Sequence, residues 1–420
     1  MLVKNERYLT LDALRGIAVM GILLMNIVAF AMPEAAYVNP AAYGGLTTPD
    51  VLTWATMFVL VDSKMRGLFS ILFGASMLLV YERAEEHGED GRSVHFRRMA
   101  WLLLFGLLHF YLFWFGDILT LYAVCGLLGL FLVHVNEAQL RRAAVIMFSL
   151  TFIALTLFCA SLFALKYAAQ LPGAGSDAIK SYAELVADIG GSPTLMATEV
   201  ALHQGGWLAL VVHKLTHDLT DPLTTLLLSG TETLGLMAIG MLLLRNGFLT
   251  GSWSNDDYGR ILWRCYLLGI PPLILLALWN WSTGFEAVTS LSIFLAFSIP
   301  FRVAVTIGHA ALAVLLIKRF AGTQMMARIE AAGKAAFSNY LGTTLLMTGL
   351  FYGWGLGQFG EWSRWQVYLI VPVVWAIMLL WSKPWLDRFQ YGPLEWLWRS
   401  LARGEKVPFR RRRLLRITSN

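Results

Sequence analysis

Charge is what this chain has little of: 14% of its 420 residues are Asp, Glu, Lys or Arg, while 57% are hydrophobic and the mean hydropathy is +0.60. A soluble globular protein of this length needs more charge than that on its surface, so that class is excluded and a polytopic membrane protein is predicted. Cysteine is scarce as well. Cys125, Cys159 and Cys265 lie far apart in apolar surroundings with no CxxC and no Cys/His pairing at metal-ligand spacing, so buried free thiols are expected in place of disulfides or a zinc site. The chain also lacks a GxSxG elbow, a Walker loop and the glutamate of an HExxH site. Gly355-Leu-Gly-Gln-Phe-Gly360 has the GxGxxG spacing, but it follows a membrane helix and no strand, and reads as an outer loop. His213 and His217 have the i, i+4 spacing of a metal pair, yet they fall on an amphipathic outer segment where a solvated face is the better reading, and no metal is expected.

What remains is a series of apolar runs. They cover residues 10–32, 51–81, 99–115, 118–133, 143–167, 223–244, 261–281, 291–317, 335–352 and 365–381, and predict an all-α bundle of about ten transmembrane helices. Counting crossings puts every basic cluster and both termini on the cytoplasmic side, so the net charge of +6 reads as a topology determinant and nucleic acid is not an expected partner. The organisation predicted is a membrane bundle over 1–167, an outer amphipathic cap over 168–222, a second bundle over 223–383, and a cytoplasmic interfacial helix with a basic tail over 384–420. Arg399, Arg403 and the run 410–413, beside Trp396 and Trp398, suit anionic lipid. Residues 51–81 carry Asp62, Lys64 and Arg66 at their middle, which fits either one long helix with a charged waist or a helix that breaks and re-enters.

Polar groups inside these runs are the candidate site residues, because such groups in a membrane are costly and usually face a cavity or a partner. Asp12 and Arg15 share one face of the first helix. Asn26, eleven residues beyond Arg15, returns to within about 20° of it at 3.6 residues per turn. His109 sits in a very aromatic helix about two turns before Asp117; as a general base, its tautomer would be set by that carboxylate. The plainer alternatives are a histidine bonded to a neighbouring helix and an aspartate capping the next one. Lys64, Arg66 and Arg302 would bind phosphates or an anionic substrate, or else pair with carboxylates on neighbouring helices.

Leu11-Asp12-Ala13-Leu14-Arg15-Gly16-Ile17-Ala18, followed by Asn26, resembles the opening helix of the membrane acyltransferase superfamily, which includes heparan-α-glucosaminide N-acetyltransferase. Over nearly its whole length the chain is identified as a member of the YeiB family of bacterial inner-membrane proteins. That rests further on Ala31-Met-Pro-Glu-Ala-Ala-Tyr-Val-Asn-Pro40, Gly116-Asp117-Ile118-Leu119, Ser338-Asn339-Tyr340-Leu341 and Gly392-Pro-Leu-Glu-Trp-Leu-Trp-Arg399. The resemblance implies a multi-pass acyltransferase that takes an acyl group from a cytoplasmic donor such as acyl-CoA and holds no permanent cofactor. The superfamily often places a histidine in this helix or the loop after it; here Asn26 holds the helix position and residues 27–50 contain none. His109 would then be the base, with Asp117 beside it and Asn26 facing the oxyanion, while Asp12, Arg15, Lys64, Arg66 and Arg302 hold the donor or substrate. Two other classes stay open: an exporter of an anionic or lipid-like metabolite, and a lipid-binding scaffold without catalysis. Membrane lipids, a small-molecule or lipid substrate and a second copy in a homodimer are the expected partners.

Overall fold

The computed structural model describes residues 2–410, with side chains from residue 9 onward. Residues 411–420, including most of the basic run 410–413, lie outside the described residues. Among those described there is no β-strand, only one isolated bridge between Phe389 and Arg410, and the protein is a helical membrane bundle.

Its central helix, α1 (Leu2–Ala31), runs through the core. After the single turn α2 (Ala35–Val38), helix α3 (Thr48–Leu60) starts where the Asp50 carboxylate accepts the Thr47 N–H at 3.2 Å. α3 stops at Leu60 and α4 (Lys64–Glu86) starts after three intervening residues, with Ser63 at φ +60°. The segment with the charged waist is therefore broken, and its three charged residues stand at the break. α5 (Gly91–Leu112) and α6 (Leu119–Gly129) form a hairpin, and α7 (Glu137–Gln170) is the longest helix.

Over 168–222 the chain forms three helices, α8 (Ser176–Gly190), α9 (Pro193–His203) and α10 (Trp207–Thr216). α10 closes over the end of α5: Lys214 Nζ donates to Phe110 O at 3.1 Å and Trp207 Nε1 to Leu112 O at 2.6 Å. α11 (Asp221–Arg245) returns through the bundle, and α12 (Asn255–Ser282) runs uninterrupted through Pro271 and Pro272. α13 (Ala287–Ser292) passes through a π turn at Ile293–Phe297 into α14 (Ile299–Arg319). The chain closes with α15 (Gln324–Lys334), α16 (Ala336–Phe351), the turn α17 (Arg364–Val367), α18 (Val371–Arg388) and the amphipathic α19 (Pro393–Arg403).

Seven helical segments among the described residues are long and apolar enough to cross a membrane: Leu9–Ala31, Thr48–Glu86 with its break, Glu137–Gln170, Asp221–Arg245, Asn255–Ser282, Ile299–Arg319 and Arg364–Arg388. The other three expected crossings are α5, α6 and α16. α6 and α16 have 11 and 16 residues, and α5 carries Arg92, Arg97 and Arg98 in its first turns. These three carry or contact the candidate site. Lipid-facing surface is supplied by helices such as α7 and α12, where Leu157, Leu267 and Leu275 are exposed. Cys125 and Cys159 are buried and free as expected; Cys265, also free, is only half-buried because it lies on the outer helix α12.

Glycines set the closest helix contacts. A Cβ on Gly240 of α11 would lie 1.9 Å from Ile71 O on α4, and one on Gly74 would lie 2.2 Å from Met237 O, so these backbones touch only because both positions lack a side chain. Gly240→Ala is expected to cost about 1–3 kcal/mol by overpacking. It should appear as a lowered thermal midpoint of the detergent-purified protein; an unchanged midpoint would mean the contact is soft.

α19 is latched to α16. The Glu395 carboxylate accepts the Ser338 N–H at 2.9 Å and the Ser338 hydroxyl, capping α16, and Trp398 stacks under the Arg98 guanidinium at 4.3 Å. Burial pushes the Glu395 carboxyl above its ordinary value, against the lowering pull of the Ser338 bonds. Glu395→Ala should release α19, raising the rate of trypsin cleavage around Arg399 and Arg403, with about 0.5–2 kcal/mol of capping lost from α16.

Candidate functional site

The site starts at the end of α5. His109 is 3% exposed in the helix's last turn, and both Phe113 N and Trp114 N close on its carbonyl at 3.0 Å before the chain reverses. α5 and α6 meet tightly here, since a Cβ on Gly106 would lie 2.4 Å from Thr120 N. That contact brings Asp117 over the imidazole. His109 Nδ1 stands 2.8 Å from Asp117 Oδ1, while the same carboxylate accepts the N–H groups of Leu119 at 3.1 Å and Thr120 at 2.8 Å. Asp117 thus caps α6 and holds the histidine at once.

With the carboxylate acting purely as an acceptor, the Nδ1–H donates to it and Nε2 is left as the acceptor. Nε2 lies 2.9 Å from Thr344 Oγ1 on α16. The result is an Asp117–His109–Thr344 chain of two short hydrogen bonds in a buried, aromatic setting. The Tyr340 ring packs 5.4 Å from the imidazole, its hydroxyl accepts the Ile118 N–H at 3.3 Å, and Trp114 stacks on Phe30 of α1 at 3.9 Å.

Thr344 lines a narrow void of about 10 Å³ between α16 and α1, with Val19, Ile22, Leu23 and Asn26 on the α1 side. That is room for about one water molecule. Asn26 is buried, and its side chain has no hydrogen-bond partner among the described residues. The face of α1 expected from the sequence is the face that meets the void.

The predicted residues fall into three groups, of which Asn26, His109 and Asp117 form the first. Arg15 stands about 16 Å from Asn26 along α1, eleven residues at about 1.5 Å each, and Asp12 lies one turn further. Arg15 pairs with Asp12 at 2.7 Å and donates to Ser76 Oγ at 2.7 Å, and Lys334 Nζ lies 3.8 Å from Asp12. Their part-exposed cluster is separate from the void, which on α1 reaches only to Val19. The third group is Lys64, Arg66 and Arg302. Arg66 Nη2 bonds Glu232 at 2.8 Å, and Arg302 grips the same carboxylate at 2.7 and 2.9 Å. Lys64 donates to Phe58 O and lies 5.3 Å from the Phe58 ring.

Thr344 and Glu232 are the site residues that sequence reasoning missed. A crowd of hydroxyls and amides in the short span from Ser338 to Thr348 would have signalled the first, and a lone carboxylate inside an apolar crossing the second.

Comparisons with known proteins agree on kinship. The family described as "Protein of unknown function (DUF418)" matches residues 243–405, a stretch that holds Arg302, Thr344 and Glu395. The chain is 34% identical over 418 residues to the uncharacterized protein YeiB of Escherichia coli (strain K12), covering 94% of this chain and 96% of that one. It is 29% identical to the uncharacterized protein YxaH of Bacillus subtilis (strain 168), with 94% of each covered. An uncharacterized 39.9 kDa protein in the amylase 3′ region of Bacillus acidopullulyticus is 26% identical, with 96% of each covered. No solved structure matches the chain.

Proposed function

The chain belongs to the YeiB family, and from that premise we propose that it is a multi-pass acyltransferase of the bacterial inner membrane, with both termini in the cytoplasm. The observation that supports this reading is the Asp117–His109–Thr344 chain ending at a void that faces Asn26. Thr344 Oγ attacks the carbonyl carbon of a thioester donor such as acyl-CoA while its proton passes to His109 Nε2. The C–O bond forms, the C–S bond breaks, and the thiolate leaves with that proton. An acceptor hydroxyl, from a small molecule or a lipid, then attacks the Thr344 ester, loses its proton to His109, and Thr344 leaves with it. Asn26 Nδ2 donates to the developing oxyanion, and Asp117 steadies the imidazolium. Arg15 and Lys334, part-exposed at the basic end, suit the phosphates of the donor, whose extended arm would run along α1 past Asn26, about 16 Å from Arg15. α1 and α16 part to admit the acyl chain.

The test is transfer or hydrolysis of radiolabelled acetyl-CoA by the purified full chain. Turnover lost in His109→Ala supports the reading; a wild-type protein that neither binds CoA nor turns it over removes it.

One observation favours export of an anionic or lipid-like metabolite as a second reading. The α3/α4 break and the π turn before α14 both adjoin the Arg66–Glu232–Arg302 cluster, an arrangement of interrupted helices around buried charge that transporters use. On that reading the wild type shows no acetyl-CoA turnover and His109→Ala leaves transport in vesicles intact.

A further inference from the structure

On the opposite side of α1 from the His109 void lies a second cavity, of about 40 Å³, lined by α1, α3, α12 and the segments around residues 37, 62, 290 and 364. One water needs about 10–15 Å³ on the same measure, so the cavity takes about three, the bulk of a glycine or an alanine. Its walls are apolar where Trp54, Phe58 and Phe294 line it. Its polar groups are incompletely used.

Arg364 is 3% exposed; its Nη2 donates to Ala36 O at 2.8 Å and Tyr43 O at 3.2 Å, but its buried Nε has no partner among the described residues. Asn280, 1% exposed, accepts from Ser290 Oγ at 2.8 Å, and its Nδ2 donates to no described group. The Tyr368 hydroxyl is likewise unengaged and lies within electrostatic reach of both Arg364 and Asp62. Asp62 accepts from Tyr37 OH at 2.8 Å through Oδ1, and its Oδ2 takes no hydrogen bond from the described residues.

An orphaned guanidinium N–H inside a protein is costly, and three spare donors around one cavity call for an acceptor there. A plain carboxylate would meet the Asp62 charge in the same small space, and a plain cation would leave Arg364 unmet. We propose that this cavity binds a small zwitterionic amino acid, its carboxylate on Arg364 Nε and Asn280 Nδ2 and its ammonium on Asp62 Oδ2. The apolar walls leave room for no side chain larger than a methyl. Asp62 lies within electrostatic reach of Lys64, and Asp50 within reach of Arg364, so a ligand of no net charge leaves the charge of the site unchanged. This inference does not rest on the acyl-transfer reading, which stands or falls on His109.

Equilibrium dialysis of the full chain in lipid nanodiscs with radiolabelled alanine tests it. Saturable binding is expected, with glycine competing, and with acetate, ethylamine and leucine each at least tenfold weaker. Arg364→Gln and Asp62→Asn should each weaken alanine binding tenfold or more. If Arg364→Gln fails to fold because it also holds the Ala36 and Tyr43 carbonyls, Asp62→Asn, which keeps an acceptor for Tyr37, carries the test alone. No saturable alanine binding, acetate binding as tightly as alanine, or full affinity in Asp62→Asn would each overturn the proposal.

Discussion

Glu232→Gln is expected to be the most damaging single substitution for folding. The carboxylate is the shared anchor for two buried cations, Arg66 from α4 and Arg302 from α14, through three hydrogen bonds of 2.7 to 2.9 Å, and its side chain is 3% exposed. The amide would take away the counter-charge between Arg66 and Arg302 and turn one of its two acceptor oxygens into a donor. Removing one partner of a buried ion pair costs about 3–5 kcal/mol, and here two partners are stranded, so the loss should lie at or beyond the upper end. Marginal stability makes that a large fraction of the whole. The variant should give little monodisperse protein after extraction, and what survives should unfold well below the wild type. Arg302 also donates to Phe294 O at 3.0 Å in the π turn, so loosening it frees the one irregular joint in the α13–α14 segment. Replacing all three residues by apolar ones of similar volume should recover most of the stability, because the charges are costly to bury in the first place. A Glu232→Gln protein with an unchanged midpoint would mean that water reaches the cluster.

How far the sequence foretold these features depended on chain separation. His109 and Asp117 are eight residues apart across a hairpin marked by Gly116, so their meeting could be read directly. The face of α1 that carries Asn26 followed from helical periodicity alone. Thr344 is 235 residues from His109 and looks like any other threonine in an apolar span; only the packing of α16 on α1 and α5 reveals it. Glu232 is 166 residues from Arg66 and 70 from Arg302, which is why the pairing of both arginines was legible only as one of two outcomes. The α3/α4 break carries no such mark in the sequence, because Ser63 adopts its positive φ without the glycine or proline that usually announces one. Two motifs by which the family was identified, the one from Ser338 to Leu341 and the one from Gly392 to Arg399, proved to touch through Glu395. Neither predicts the other in sequence, since the contact is a helix cap made from a distant helix.

The sharpest functional expectation concerns the hydroxyl at position 344. If Thr344 Oγ takes the acyl group, Thr344→Val, which keeps the shape and removes the oxygen, should reduce acetyl transfer to the level of His109→Ala, while Thr344→Ser should retain most of it. The His109 loss should be about 10²–10⁴-fold, the size of a general-base contribution. Asp117→Asn keeps an oxygen for capping α6 but favours the opposite tautomer of His109, and the comparable change in a Ser-His-Asp triad costs about 10⁴-fold. Asn26→Ala should cost about 10²–10³-fold in turnover with little change in donor affinity, because an oxyanion donor acts in the transition state. The effects of His109→Ala and Thr344→Val should not multiply, since the two residues form one device. Mass spectrometry after rapid quenching of wild-type protein with acetyl-CoA should find a single acetyl group on the peptide containing Thr344, absent from Thr344→Val. A Thr344→Val protein that transfers normally, beside a dead His109→Ala, would make the histidine the base for the acceptor itself and reduce the threonine to a group that positions it. Normal transfer in both would leave the buried chain with a packing role alone.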